Sequence, residues 1–118
     1  MSVALPFSDN KLTGLRSALV RHFSERNGMA APDDLAFESF EDGGMGSFKV
    51  LGAFQDGATE KLIDEASFID LDRTVVVITV FSGTGSRISS LDFWRVDFSP
   101  ILAFPEPRDL LPSPYYQS

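Results

Sequence analysis

Asp70-x-Asp72, with Asp64 and Glu65 a few residues upstream, gathers several side-chain oxygens in one short stretch. Clustered carboxylates of this kind are the ligands that hard cations such as Ca²⁺ and Mg²⁺ take. The stretch lacks the twelve-residue loop grammar of a calcium site, so a solvated strand end and turn is the stronger reading. Gly43-Gly44-Met45-Gly46 and Gly83-Thr84-Gly85 are as glycine-rich as phosphate-cradling loops, but neither leads from a strand into a helix and no Lys-Ser/Thr follows. They read as hairpin turns. His22 is the single histidine. A general base needs a nucleophile or substrate within hydrogen-bond reach, and His22 falls beside the apolar stripe of a helix with no such partner visible in sequence. No nucleophile elbow supports a serine triad. Asp92, Arg95 and Asp97 flank Trp94 and Phe98. As structure, this group is an ion pair or a cap on the following turn, and that reading ranks first. As function, Trp94, Arg95 and Asp97 form a recognition patch, because Trp and Arg are favoured interface anchors.

One helix and a sheet must position these residues. Leu12, Leu15, Leu19 and Phe23 recur at spacings of three and four, which predicts an amphipathic helix over residues 9–26, capped by Ser8 or Asp9 and stopped at Gly28. Lys11, Arg16, Arg21 and Arg26 fall mostly off its apolar stripe. Pro32 with Asp33 and Asp34 marks a loop. Strands are expected over 35–40 and 48–54, joined by the turn through Gly43, Gly44 and Gly46, and over 65–71 after a loop-like 55–61, with a helical turn over 59–63 as the alternative. The run 74–81, Thr-Val-Val-Val-Ile-Thr-Val-Phe, is dense in β-branched residues and is the clearest strand. Alternation resumes over 87–98, with Ser90, Asp92 and Trp94 on one face and Leu91, Phe93 and Arg95 on the other. Five strands in meander order follow. Pro105, Pro107, Pro112 and Pro114 exclude regular structure from the last residues. The expected organisation is a single α+β domain over 1–104, a helix packed on an antiparallel sheet, with an irregular tail over 105–118 that carries Leu110, Leu111, Tyr115 and Tyr116.

In the central strand Val76, Ile78 and Val80 face one way and Val75, Val77, Thr79 and Phe81 the other, so both faces are apolar. One helix covers one of them. The second is expected to be covered by the tail, by the N-terminal region or by another chain, since a large apolar patch usually marks an interface. Val76, Ile78, Val80, Leu91, Phe93, Trp94, Arg95 and Asp97 are therefore the candidate interaction residues, for a protein partner or a second copy of the chain. The competing reading is a small enzyme or ligand-binding domain with a pocket between helix and sheet, its polar groups Asp92, Arg95, Asp97 and Glu65.

Composition narrows the classes. The chain has no cysteine, which removes disulfides, thiolate metal sites and cysteine nucleophiles and suits a reducing cytoplasm. Met1 to Phe7 has no basic lead, so no signal peptide is expected, and no run of about 18 apolar residues would span a membrane. Net charge is −7, divided as +2 over residues 1–30, −8 over 31–104 and −1 over 105–118. Such a field repels phosphate backbones and draws in a basic partner, so nucleic acid is not an expected partner, and without a spanning run neither is a membrane. No cofactor is implied.

Residues 42–48 (Asp-Gly-Gly-Met-Gly-Ser-Phe) and 91–101 (Leu-Asp-Phe-Trp-Arg-Val-Asp-Phe-Ser-Pro-Ile) resemble the two signature stretches of a small bacterial domain family of unknown function. In that pattern a GGMGS turn precedes a strand, and a Leu-Asp-x-Trp-Lys/Arg-x-Asp-Phe-Ser-Pro strand closes the sheet. The resemblance covers roughly residues 10–102. It implies a small α+β fold and transfers no catalytic residue. A non-enzymatic interaction module is the leading expectation, with immunity-type neutralisation of a basic toxin as one form of it, because complementary charge speeds encounter.

Overall fold

The computed structural model describes residues 9–31, 35–41, 43–51, 60–83 and 87–112. Helix α1 spans Asp9–Arg26, the range its apolar spacing predicts. Leu12, Leu19, Val20 and Phe23 are buried on its inner stripe, and Arg16 and Ser24 are buried with them. Arg16 is a correction to the sequence reading, which set it off the stripe. Its guanidinium carbon lies 4.9 Å from the Phe48 ring centroid, and Nη2 donates to Ser39 Oγ at 2.6 Å, so the apolar stem packs while the head meets a ring and a hydroxyl. The helix ends in a Schellman motif. Gly28 takes φ +65°, its N–H donates to Glu25 O at 3.2 Å, and the Met29 N–H donates to Ser24 O at 2.8 Å.

Among the described residues, six strands form one antiparallel sheet: β1 (Phe37–Ser39), β2 (Phe48–Val50), β3 (Lys61–Ile69), β4 (Val75–Ser82), β5 (Ile88–Arg95) and β6 (Leu111–Pro112). Their spatial order is β1-β2-β5-β4-β3-β6. Only β3, β4 and β5 keep the expected meander. Both edges of β4 are taken by β3 and β5, and the β1–β2 hairpin completes the ladder on the other edge of β5, with Phe48 opposite Leu91. The sixth strand comes from the segment expected to be irregular: Pro107–Asp109 forms a 3₁₀ turn, and Leu111 and Pro112 then pair with Ser67 and Ala66, an edge position that tolerates proline. Lys61–Ile63 is strand rather than a helical turn, with a register shift between Leu62 and Asp64. Capping by Ser8 or the Asp9 side chain, the loop at 32–34, the segment 52–59, the turn at 84–86 and the two tail tyrosines lie outside the described residues.

The alternation of the strands sorts the side chains into two layers. On the inner face, Val76, Ile78, Val80, Leu91 and Phe93 are 0–1% exposed and share a core with Leu19, Val20 and Phe23 of α1 and with Phe48, Val50, Ile101 and Phe104. Each such burial is worth roughly 1.5–3 kcal/mol. Phe93 is central to an aromatic cluster, stacked on Phe104 at 5.1 Å between centroids and within 6.2 Å of Phe48 and Phe68. The outer face carries the rows Ser67–Val77–Trp94 and Glu65–Thr79–Asp92 across β3, β4 and β5.

Gly46 joins the GGMGS turn to this core. It sits at φ +111°, and a Cβ there would lie 3.0 Å from Ile101 Cδ1 and 3.0 Å from Phe93 Cδ2. Backbone strain and overpacking act together in Gly46→Ala, which is expected to cost about 2–3 kcal/mol. Urea unfolding at neutral pH checks this. An unchanged midpoint would mean that the turn moves away from β5 at little cost.

Candidate functional site

Alternation along β5 directs Leu91, Phe93 and Arg95 inward, and at Arg95 the apolar core ends. A guanidinium that is 4% exposed must find acceptors for five N–H groups. Three carboxylates supply them. Nε donates to Asp97 Oδ1 at 2.7 Å and Nη2 to Asp97 Oδ2 at 3.0 Å. Nη1 donates to Asp70 Oδ2 at 2.7 Å and to Asp72 Oδ1 at 3.1 Å, and Nη2 also donates to Asp72 Oδ2. Two of the three contacts are therefore two-pronged, the geometry in which an arginine is strongest and most directional.

The carboxylates are themselves held by the turns that bear them. Asp70, whose side chain is 0% exposed, accepts from the backbone N–H groups of Leu71, Leu102 and Ala103 at 2.8–3.1 Å. Asp72 accepts from Thr74 N and Asp97 from Ser99 N, the side-chain-to-backbone bonds that close such turns. Asp97 is held at about 2 against an ordinary 3.8, first by Arg95 and then by the Ser99 N–H. The Asp72 carboxyl is also lowered, mainly by Arg95, and these carboxylates raise Arg95 further above its ordinary value. Three negative charges face one positive charge, and the excess reaches water through Asp72 and Asp97, whose side chains are 40% and 45% exposed.

This clamp decides between the readings of the sequence. Asp70-x-Asp72 is neither a cation site nor a solvated turn, because a guanidinium occupies the position a cation would take and Asp70 is buried. No group of three or more metal-ligating side chains among the described residues is arranged to hold an ion. The ion-pair reading of Arg95 and Asp97 holds, and Asp70 and Asp72 extend it. Asp92 is elsewhere, exposed on the outer face, where its Oδ1 accepts from Ser47 Oγ at 2.9 Å. Ser47 Oγ in turn accepts from Phe93 N at 2.8 Å. Glu65 lies on the outer face too, so Asp92, Arg95, Asp97 and Glu65 do not converge on a pocket between helix and sheet, and the aromatic cluster fills that space. His22 meets Phe23 edge-on at 5.2 Å. Glu60 accepts from the hydroxyls of Ser89 and Ser90, a serine–carboxylate group far in sequence from the lone histidine.

The interaction candidates divide in the same way. Val76, Ile78, Val80, Leu91 and Phe93 are core residues beneath α1, so an uncovered face made of them is a correction: the helix covers that face. Arg95 is enclosed by its carboxylates. Trp94 is 38% exposed on the outer face, and Asp97 is in the turn after β5. Around the clamp, at the end of the sheet where β3, β4 and β5 turn, Leu71 is 76% exposed and Phe98 69%, with Val96, Leu102, Ile69 and Trp94 exposed nearby in the chain. Beside this end a groove of about 270 Å³ runs between β3 and residues 103–111, walled by Phe68, Ile69, Leu71, Phe104 and Leu111. The two signature stretches of the sequence also meet: Ile101 N donates to Gly44 O at 3.0 Å.

The chain belongs to the family described as Domain of unknown function (DUF6984), whose model matches residues 9–105. No curated protein and no solved structure matches it significantly. No helix among the described residues is long and apolar enough to cross a membrane.

Removing the guanidinium leaves Asp70 buried and uncompensated, so Arg95→Met is expected to lower the melting temperature by about 10 °C or more. Arg95→Lys should fall between it and the parent, because an ammonium has three donors for five contacts. Calorimetry on the three proteins checks the order. The pH dependence has a definite sign. A depressed folded-state pKa stabilises the fold above the unfolded value and loses that contribution as pH falls through the folded value. Melting temperature should therefore drop between about pH 4 and pH 2, and Asp97→Asn should show a shallower drop over the same window.

Proposed function

We propose that the domain is a non-enzymatic protein-interaction module of the cytoplasm, and that its partner is a basic protein docking on the end of the sheet around Arg95. The observation that carries this reading is the display of Leu71, Phe98, Leu102 and Val96, each 39–76% exposed, around a rigid ionic clamp with excess negative charge. Exposed apolar side chains gathered at one place favour an interface. A net charge of −7 with Asp72 and Asp97 half-exposed at that place favours a partner of opposite sign, which such a field attracts from a distance. Immunity-type neutralisation of a basic toxin is one form of the same reading. An enzyme of the helix–sheet pocket type has less support, because Asp92 and Glu65 lie on the outer face, away from the bonded pair Arg95 and Asp97, and Arg95 has all five N–H groups engaged. A homodimer has to bring two strongly acidic chains together.

The double variant Leu71→Asp, Leu102→Asp alters exposed side chains and leaves the backbone bonds to Asp70 in place. Parent and variant, used side by side as bait in extract of the native host, should differ in one basic protein that the parent retains at low salt and releases at high salt. If both retain the same proteins, the surface is wrong. If sedimentation shows a parent dimer that the variant abolishes, the partner is a second copy and the basic-partner reading fails.

A further inference from the structure

The geometry points to the Trp94–Phe98 pair, with Asp92 beside it, as the seat of an arginine side chain of that basic partner, an inference that rests on the interaction reading above. Trp94 and Asp92 are two residues apart on β5 and share the outer face. The rings of Trp94 and Phe98 stand 6.2 Å apart between centroids at 51°, a tilted pair rather than a stack. Phe98 is 69% exposed, yet it is held at φ +63°, a conformation that bulky residues rarely adopt. The bond from Phe98 N to Arg95 O at 2.8 Å and that from Ser99 N to Asp97 Oδ1 at 3.0 Å keep it there. Strain at a buried position can be offset by packing. At Phe98, burial within the chain offsets little, and backbone strain of this kind concentrates where a protein contacts a ligand.

A guanidinium suits such a place better than an ammonium. It is planar and weakly hydrated, so its face lies on an aromatic ring while its edge donates to a carboxylate. Asp92, exposed and anchored through Oδ1 by Ser47 Oγ, supplies that carboxylate. The charge argument favours a basic partner over a second copy as the source of the arginine, since two chains of net charge −7 repel one another.

Trp94 is the one tryptophan of the chain, so its fluorescence reports this site alone. Titration of the whole protein with a hexa-arginine peptide is expected to change Trp94 emission saturably, at least about tenfold more tightly than with hexa-lysine, and to weaken with salt. Asp92→Asn should weaken the response severalfold. Phe98→Asn, which puts a residue tolerant of positive φ at the strained position, should weaken it at least tenfold while holding or raising the melting temperature. A fall in melting temperature in Phe98→Asn would assign Phe98 to packing and overturn the seat. Equal responses to the two peptides, or none to either, would overturn it as well. If the peptides leave Trp94 unmoved while the Leu71→Asp, Leu102→Asp bait still loses a basic host protein, the seat falls and the interaction module stands.

Discussion

A guanidinium withdrawn from water at the edge of an apolar core is tolerable only when every N–H has an acceptor and the charge is countered. Arg95 meets both conditions through Asp70, Asp72 and Asp97, and much of the architecture is arranged around that requirement. Asp70 directly follows β3, Asp72 lies in the turn to β4, and Asp97 lies in the turn after β5, so one side chain ties three successive strand ends together. Asp70 then passes the constraint on. Its other bonds hold the amides of Leu102 and Ala103, which fixes the segment whose neighbours Ile101 and Phe104 enter the core, and Phe104 stacks on Phe93. Ile101 also reaches the glycine turn at Gly44 and crowds Gly46.

The two signature stretches are thus one structural device. Gly46 has to be glycine because Phe93 and Ile101 occupy the space of a Cβ, and Ser47 bridges the Phe93 amide to Asp92. Residues that look chemical in the sequence, a pair of aspartates and an arginine, are engaged with one another and with backbone amides. The clamp ties the surrounding turns together, and those turns present large apolar side chains beside the half-exposed Asp72 and Asp97.

Local patterns were legible where the chain's own periodicity decides the outcome. Leu12, Leu19 and Phe23 specify a helix and its buried stripe, Gly28 stops it, and the β-branched run of β4 specifies a strand with two apolar faces, because side-chain direction in helices and strands follows from backbone geometry alone. The opposition of Trp94 to Leu91, Phe93 and Arg95 was legible for the same reason. The pairing of Arg95 with Asp97 is visible at a separation of two residues. Its pairing with Asp70 and Asp72, more than twenty residues away, has no local signal beyond the alternation that turns an arginine toward the core.

What only the tertiary structure decided depends on contacts between distant segments. Arg16 looked like a surface residue of α1 until the β1–β2 hairpin brought Phe48 and Ser39 beneath it, and that hairpin took the edge of β5 because β4 already had both of its edges paired. The tail contributed a strand because β3 offered an edge, and backbone hydrogen bonding at an edge requires little of the side chains that supply it. The sequence by itself determined one helix, a central strand apolar on both sides and an acidic net charge. The fold decided which face α1 covers and which carboxylates surround Arg95, since both follow from the simultaneous packing of strands that are remote in the chain.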